Sequence, residues 1–281
     1  MTKPVVIFTK ETHKYEAEGR FWDSANKIKD FFFPAFEEDY WKYYKAVELM
    51  LPDFKERKSK LRYPFNAQPK IEWLNEQVQE YTQEEIQGFI QIIDDRWKAS
   101  RDNGTIFHDK IEKQEIEQGV VVWDGMEYEV QTFEKQYDNQ SIVDDLRDLK
   151  PGAYHEIILF KKIGTSYILG TADRVLIPKT KDFSIIQDHK TINDYSCKKG
   201  KKLYPPFDRL DTGKHCGYSI QTSLYGYLLD LSGLPPKHLQ IFSYNDYDES
   251  TRKVHDCRYY KPEIEKMINI YRDKIYGDID F

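Results

Sequence analysis

The chain has 281 residues, 40% of them hydrophobic and 32% charged, and a formal net charge of −6. That length and apolar content allow a sizeable core, and no apolar run approaches a membrane span, so no membrane partner is expected. The acidic balance argues against a protein that coats DNA non-specifically, because such affinity comes from neutralising phosphates; an enzyme that grips nucleic acid in one groove needs only local positive charge.

In chain order, Val5-Val6-Ile7-Phe8 and Lys14-Tyr15-Glu16 read as an opening strand pair. Helical periodicity runs through Tyr40–Leu51 and Ile71–Ser100, with Gln83-Glu84-Glu85 as an acidic first turn. Residues 1–100 thus predict a strand pair and a helical lobe that would arch over an active site. Tyr40, Trp41, Tyr43 and Tyr44 have the spacing of a packed stripe, with a stacking platform for bases as the other reading. Gly104-Thr105 look like the start of a further helix over 104–118, on which His108 and Glu112 share a face.

Val120–Trp123, Asp124-Gly125 and Tyr128–Val130 read as a hairpin with an Asp-Gly turn. Three core strands come next, beginning after Lys150-Pro151-Gly152. Glu156 opens the first, ahead of Ile157-Ile158-Leu159-Phe160; Tyr167–Ile177 is the second, ended by Pro178; Phe183–Lys190 is the third. A basic run, Lys198-Lys199-Gly200-Lys201-Lys202, follows directly. Tyr218–Asp230 predicts a helix with Ile220, Leu224, Tyr227 and Leu228 as its apolar stripe, and Gln221 and Tyr225 on one face. Leu239–Tyr244 reads as another strand, and Pro262-Glu263 open a last helix. The fold class is α/β, a mixed central β-sheet flanked by helices over residues 101–281.

The chemistry concentrates in the second and third core strands. Residues i and i+2 share a strand face, so Asp188 and Lys190 point the same way. A hairpin turning at Lys179–Asp182 would bring Asp173 near them. Two acidic oxygens beside an ammonium suit a divalent cation. Alone, an Asp-x-Lys pair is more often a solvated ion pair at a sheet edge. Asp173, however, lies in an apolar strand, where a carboxylate is costly unless a cation or donors satisfy it, and Gly170 suggests a close approach there.

The order His108, then Gly170-Thr171-Ala172-Asp173, then Asp188-His189-Lys190-Thr191, then Gln221-Thr222-Ser223-Leu224-Tyr225 resembles the nuclease domain of the RecB family, in the PD-(D/E)XK superfamily. The resemblance covers roughly residues 100–232 and is nearest in style to phage-encoded and mitochondrial genome maintenance exonucleases. It implies a restriction-endonuclease-like core and a metal-dependent deoxyribonuclease, most simply an exonuclease acting on single-stranded DNA or strand ends. Asp173, Asp188 and His108 would hold Mg²⁺ or Mn²⁺, with Glu156 completing the shell and Glu112 orienting His108. Lys190 would act on the attacking water or the developing charge, and Gln221 and Tyr225 would hold the scissile phosphate or the lysine. His189, on the opposite strand face, reads as structural.

Cys197, Cys216 and Cys257 are widely spaced and too few for the four-cysteine iron–sulfur cluster of some relatives, so no such cluster is expected. Few cysteines and no apolar leader point to a cytoplasmic protein, in the host cytoplasm if phage-encoded, and a role in recombination would fit. Lys198, Lys199, Lys201 and Lys202, beside the third core strand, make the better DNA-contacting loop; Lys55–Arg62 is a second basic run. A catalytically silent DNA- or protein-binding member and a restriction-type endonuclease are the alternative readings.

Overall fold

The computed structural model describes residues 5–9, 14–17, 20–21, 23–61, 69–131, 140–142, 146–164, 166–192 and 201–276. They form two units, Met1–Pro34 with Phe107–Phe281, and Ala35–Ile106. The sequence groups residues 1–100 as a strand pair with a helical lobe; the structure groups the first 34 with the sheet.

The first unit begins with β1 (Val5–Thr9), β2 (Lys14–Ala17), β3 (Arg20–Phe21), β4 (Asp23–Ser24) and α1 (Ala25–Asp30). The expected opening pair is present, with β1 antiparallel to β2. The second unit is helical: α2 (Glu38–Met50), α3 (Phe54–Ser59), α4 (Ile71–Gln77) and the start of α5 (Gln83–Gln118). Its core gathers Tyr44, Val47, Met50, Phe54, Leu74, Val78 and Ile86. The aromatic stripe is packed there: Tyr40 stacks on Tyr44 at 6.2 Å, and Tyr44 meets Phe54 edge-on at 5.2 Å. Thr82 caps α5 by reciprocal bonds with Glu85, whose carboxylate accepts from the Thr82 amide at 2.7 Å.

The expected helix start at Gly104-Thr105 is a correction: α5 runs through it without a break. One mid-helix glycine costs only about 1 kcal/mol against alanine, too little to stop an established helix, and the Thr105 hydroxyl donates back to the Arg101 carbonyl at 3.3 Å instead of capping.

After α5 come β5 (Val120–Trp123) and β6 (Met126–Glu129), whose Asp124 and Gly125 both have positive φ, as a tight hairpin turn of this kind requires. The remaining elements are β7 (Gln140–Ile142), β8 (Gly152–Ile163), β9 (Ser166–Ile177), β10 (Ser184–Thr191), α6 (Lys214–Asp230), β11 (Pro236–Tyr244), β12 (Lys253–Asp256) and α7 (Lys261–Tyr276). β12-β11-β10-β9 are neighbours in a mixed sheet in which β10 and β11 run parallel, while β8 pairs with β9 antiparallel along its whole length. The other edge of β9 is shared. β10 pairs with it at Arg174, Val175 and Leu176, and β4 at Ile168 and Leu169, so Gly170 to Asp173 lie in the gap between the two partners.

Helices cover both faces. Ile220, Leu224 and Leu228 of α6 and Ile264, Met267 and Ile268 of α7 share a core with Ile157, Leu159, Ile168 and Ile186. α6 is buried almost all round, not along one stripe. On the opposite face Phe107 and Ile111 of α5 pack on Phe242 and Tyr244. Among the described residues no helix is long and apolar enough to cross a membrane.

Candidate metal centre

The site forms where two neighbouring strands break alternation at the same level. In β8, Tyr154 joins the core under α6, and so do Ile157 and Leu159; in β9, Ile168 and Ala172 join it, and so do Val175 and Ile177. Strand side chains alternate with period two, so each strand changes parity between those residues. Register is kept on both sides of the change, His155↔Arg174 and Ile157↔Ala172, which sets Glu156 opposite Asp173. Glu156 has a φ of +47°. A non-glycine residue there costs on the order of 1–3 kcal/mol, and such strain gathers at functional sites. Glu156 therefore does not open its strand, as the sequence suggested, but sits at a kink inside it.

His108 from α5 completes the group. His108, Glu156 and Asp173 each offer a ligand atom within 4.8 Å of the other two. His108 Nδ1 is 3.4 Å from Asp173 Oδ2, and the same oxygen accepts the His189 backbone N–H at 2.7 Å. Asp188 stands beside this group, not within it. Its Oδ2 lies 2.5 Å from Lys190 Nζ, which is 4.0 Å from Asp173 Oδ2, and its Oδ1, fully buried, has no hydrogen-bond donor. Asp188 and Lys190 do share a face, and the hairpin does bring Asp173 to them.

The electrostatics follow from crowding. Burial, then Asp173, pushes the Asp188 carboxyl up, with Lys190 opposing. Burial, then Asp173 and Glu112, also pushes up Glu156. Glu156 is exposed to solvent, which weakens the burial cause, but Asp173, Glu112 and Asp188 converge on its carboxyl, and the upward direction stands on that crowding. Burial pulls the Lys190 pKa down; Asp188 and Asp173 outweigh it and keep the ammonium charged. Burial lowers His108 against the pull of Asp173, which leaves a neutral imidazole able to ligate.

α6 supplies the wall. Gln221 donates to the Tyr225 hydroxyl at 2.9 Å, and both are buried. Gly170 explains the fit: a Cβ there would lie 2.5 Å from the Tyr225 ring and 3.0 Å from Ala25. The close approach read from that glycine is the approach of Tyr225. Tyr218, which sequence reasoning passed over, puts its ring 5.3 Å from Lys190 Nζ. It precedes Gln221 and Tyr225 by three and seven residues, a helical spacing that was there to find.

His189 packs as a structural residue, with Nδ1 2.9 Å from the Tyr244 hydroxyl and its ring stacked on Tyr244. Also unforeseen was Glu115, which pairs with Arg174 and approaches His155, the neighbours of Asp173 and Glu156. Lys201 and Lys202 are exposed; Lys198, Lys199 and Cys197 lie outside the described residues. In the Lys55–Arg62 run, Arg57, Lys58 and Lys60 are engaged by Asp53, Tyr44 and Glu56.

No family model matches the chain, and no curated protein matches it. Among solved structures, one titled "Crystal structure of SSO0001" is similar at 14% identity and a TM-score of 0.28, covering 46% of this chain and 52% of that one. The match spans about half the length of that structure, and at such a score it carries no argument about fold or activity.

Proposed function

We propose that the chain is a metal-dependent deoxyribonuclease with a nuclease-like core, cutting phosphodiester bonds as an exonuclease on single-stranded DNA or strand ends. The observation that carries the reading is the convergence of His108, Glu156 and Asp173 within 4.8 Å beside the charged Lys190. One imidazole and two carboxylates fit a hard divalent cation such as Mg²⁺ or Mn²⁺. Asp188 supports that fit, because a fully buried carboxyl with an oxygen lacking any donor is costly until positive charge is brought near.

When bound, such a cation supplies positive charge to a phosphate oxygen and lowers the pKa of a coordinated water. The chain's own residues do the rest. Lys190, held between Asp188 and Asp173, presents a fixed ammonium to the charge that develops on the phosphoryl group. Asp188 holds that lysine in place. The Gln221–Tyr225 pair walls the site on the α6 side and keeps polar atoms beside Asp188. Lys201 and Lys202 offer the strand local positive charge despite the acidic whole.

The test is degradation of end-labelled single-stranded DNA with Mg²⁺ or Mn²⁺, alongside closed circular plasmid. Wild type should release nucleotides from ends, Asp173→Asn should not, and the circle should survive. Equal degradation by both proteins would overturn the assignment, and discrete plasmid fragments would favour a restriction-type endonuclease.

A further inference from the structure

Resting on the metal reading above, we infer that Glu115 is a positioning residue that sets the reach of His108. Of the three converging groups, Glu156 and Asp173 are fixed by strand pairing, but His108 comes from a helix. Its place depends on how α5 is held against the sheet. His108, Ile111 and Glu115 follow at spacings of three and four, so they form one stripe. Ile111 is held by apolar packing on Phe242 and Tyr244, contacts that tolerate sliding. Glu115 is held by charge and direction. Its Oε1 takes the Arg174 guanidinium, and its Oε2 lies 3.3 Å from His155 Nε2, outside hydrogen-bond geometry.

The anchor is itself fixed across the sheet. Arg174 Nε donates to Gln187 Oε1 at 2.7 Å, Gln187 Nε2 to Gln240 Oε1 at 2.8 Å, and Gln240 Nε2 to Asp256 Oδ1 at 3.0 Å. Trp123 Nε1 adds a second donor to Gln240 at 3.0 Å. These links join β9, β10, β11 and β12 in register, and Arg174, Gln187 and Gln240 are all buried. The same fixed rod therefore meets α5 beside Asp173 and, through His155, beside Glu156. Seven residues of helix, roughly 10 Å at 1.5 Å per residue, carry that registration to His108. A slip of one residue would move the imidazole about 1.5 Å along the axis, enough to break a coordination sphere. Groups that orient a metal ligand typically matter about 10- to 100-fold in metal affinity.

The experiment titrates Mn²⁺ calorimetrically into wild type, Glu115→Gln, His108→Ala and the double variant, each well below its melting temperature. Glu115→Gln should weaken binding about tenfold or more, and adding it to His108→Ala should change nothing further, because its action passes through that ring. Unchanged affinity in the single variant, or equal weakening in the His108→Ala background, would overturn the inference and leave Glu115 a purely structural residue. If Glu115→Gln does not fold, Arg174→Lys takes its place in the same cycle, with the same expected and overturning results. Metal-free protein with ¹⁵N-labelled histidine separates this inference from the metal reading. Shifted His108 ring signals with those of His215, at the start of α6, unmoved would support positioning even if wild type bound no Mn²⁺; unmoved His108 signals would sink it whatever the metal does.

Discussion

Glu156 on β8 and Asp173 on β9 stand opposite each other at the level where both strands change the face they turn to the α6 core. Two carboxyls that oppose each other at a strained backbone position are unfavourable as bare anions. The fold retains them because the two strands are tied by their ladder on either side, and because the charge of Lys190 and the neutral imidazole of His108 lie next to them. The same arrangement makes the site sensitive to pH and to cations, and several outcomes can be derived from it.

The first concerns stability against pH. Asp188 and Glu156 titrate in the folded chain above their ordinary values of 3.8 and 4.5. In that case the folded state keeps protons that the unfolded chain has released. Stability from these groups is full below the unfolded values and is lost as pH rises through the raised ones. A divalent cation needs the ionised carboxylates and binds only the folded site, so its stabilisation should grow over that range. Burial lowers the pKa of His108, which favours the neutral, ligating imidazole over the same range. Thermal melts with and without Mn²⁺ should therefore differ little near pH 5 and clearly near pH 8; a metal-induced shift that shrinks with rising pH would contradict this.

The second separates the two roles of Asp188. Asp188→Ala leaves the Lys190 ammonium in a half-buried position with Asp173 at 4.0 Å and the Tyr218 ring at 5.3 Å, and removing one partner of such a pair costs roughly 3–5 kcal/mol. Asp188→Asn keeps the shape and one acceptor, and should cost clearly less. Both should lose nuclease activity by at least about 100-fold, the scale of losing a fixed charge at a reacting group. Urea unfolding and a single-turnover assay read the two effects separately. Equal stability of the two variants would mean that Lys190 does not depend on this carboxylate.

Much of this was readable beforehand, and the misses have physical causes. The Asp188–Lys190 face follows from period two, the Asp124-Gly125 turn from its need for positive φ, and the approach at Gly170 from the missing side chain. The parity change at Glu156 was not readable. A glutamate at φ +47° has no compositional mark, and the apolar run after it looks the same with or without a kink. Continuity of α5 through Gly104 was hidden because a glycine and a threonine are also what a helix start looks like. The role of Glu115 was hidden for another reason: its partners Arg174 and His155 are 59 and 40 positions along the chain, and only the sheet brings them together.

The third outcome tests the α6 wall. In Gly170→Ala the new methyl would meet the Tyr225 ring at 2.5 Å and Ala25 at 3.0 Å. Neither neighbour can swing away easily, because Tyr225 is buried and bonded to Gln221, and Ala25 is itself in the core. Overpacking of this sort costs about 1–3 kcal/mol. Activity should fall further than stability alone explains, since relief comes from moving Tyr225 away from Asp188. The check is turnover measured well below the melting temperature. Full turnover in a merely destabilised variant would remove Tyr225 from the working site.

The fourth runs the opposite way and rests on the same measurement. Gly88 lies in α5, and a Cβ built there meets nothing within 4 Å. Its backbone is helical, so the glycine gains no conformational advantage from lacking a side chain. In the unfolded chain it is freer than alanine, and fixing it in a helix costs roughly 0.5–1 kcal/mol more. Gly88→Ala should therefore raise stability by about that amount and shift the melt upward by roughly 2–4 °C per kcal/mol. Turnover should not change, because the residue belongs to the helical unit and not to the group around Asp173. The two substitutions are chemically identical, and only the space around each glycine differs. A destabilised Gly88→Ala would mean that the exposed face of α5 is occupied in solution by something that fills this space.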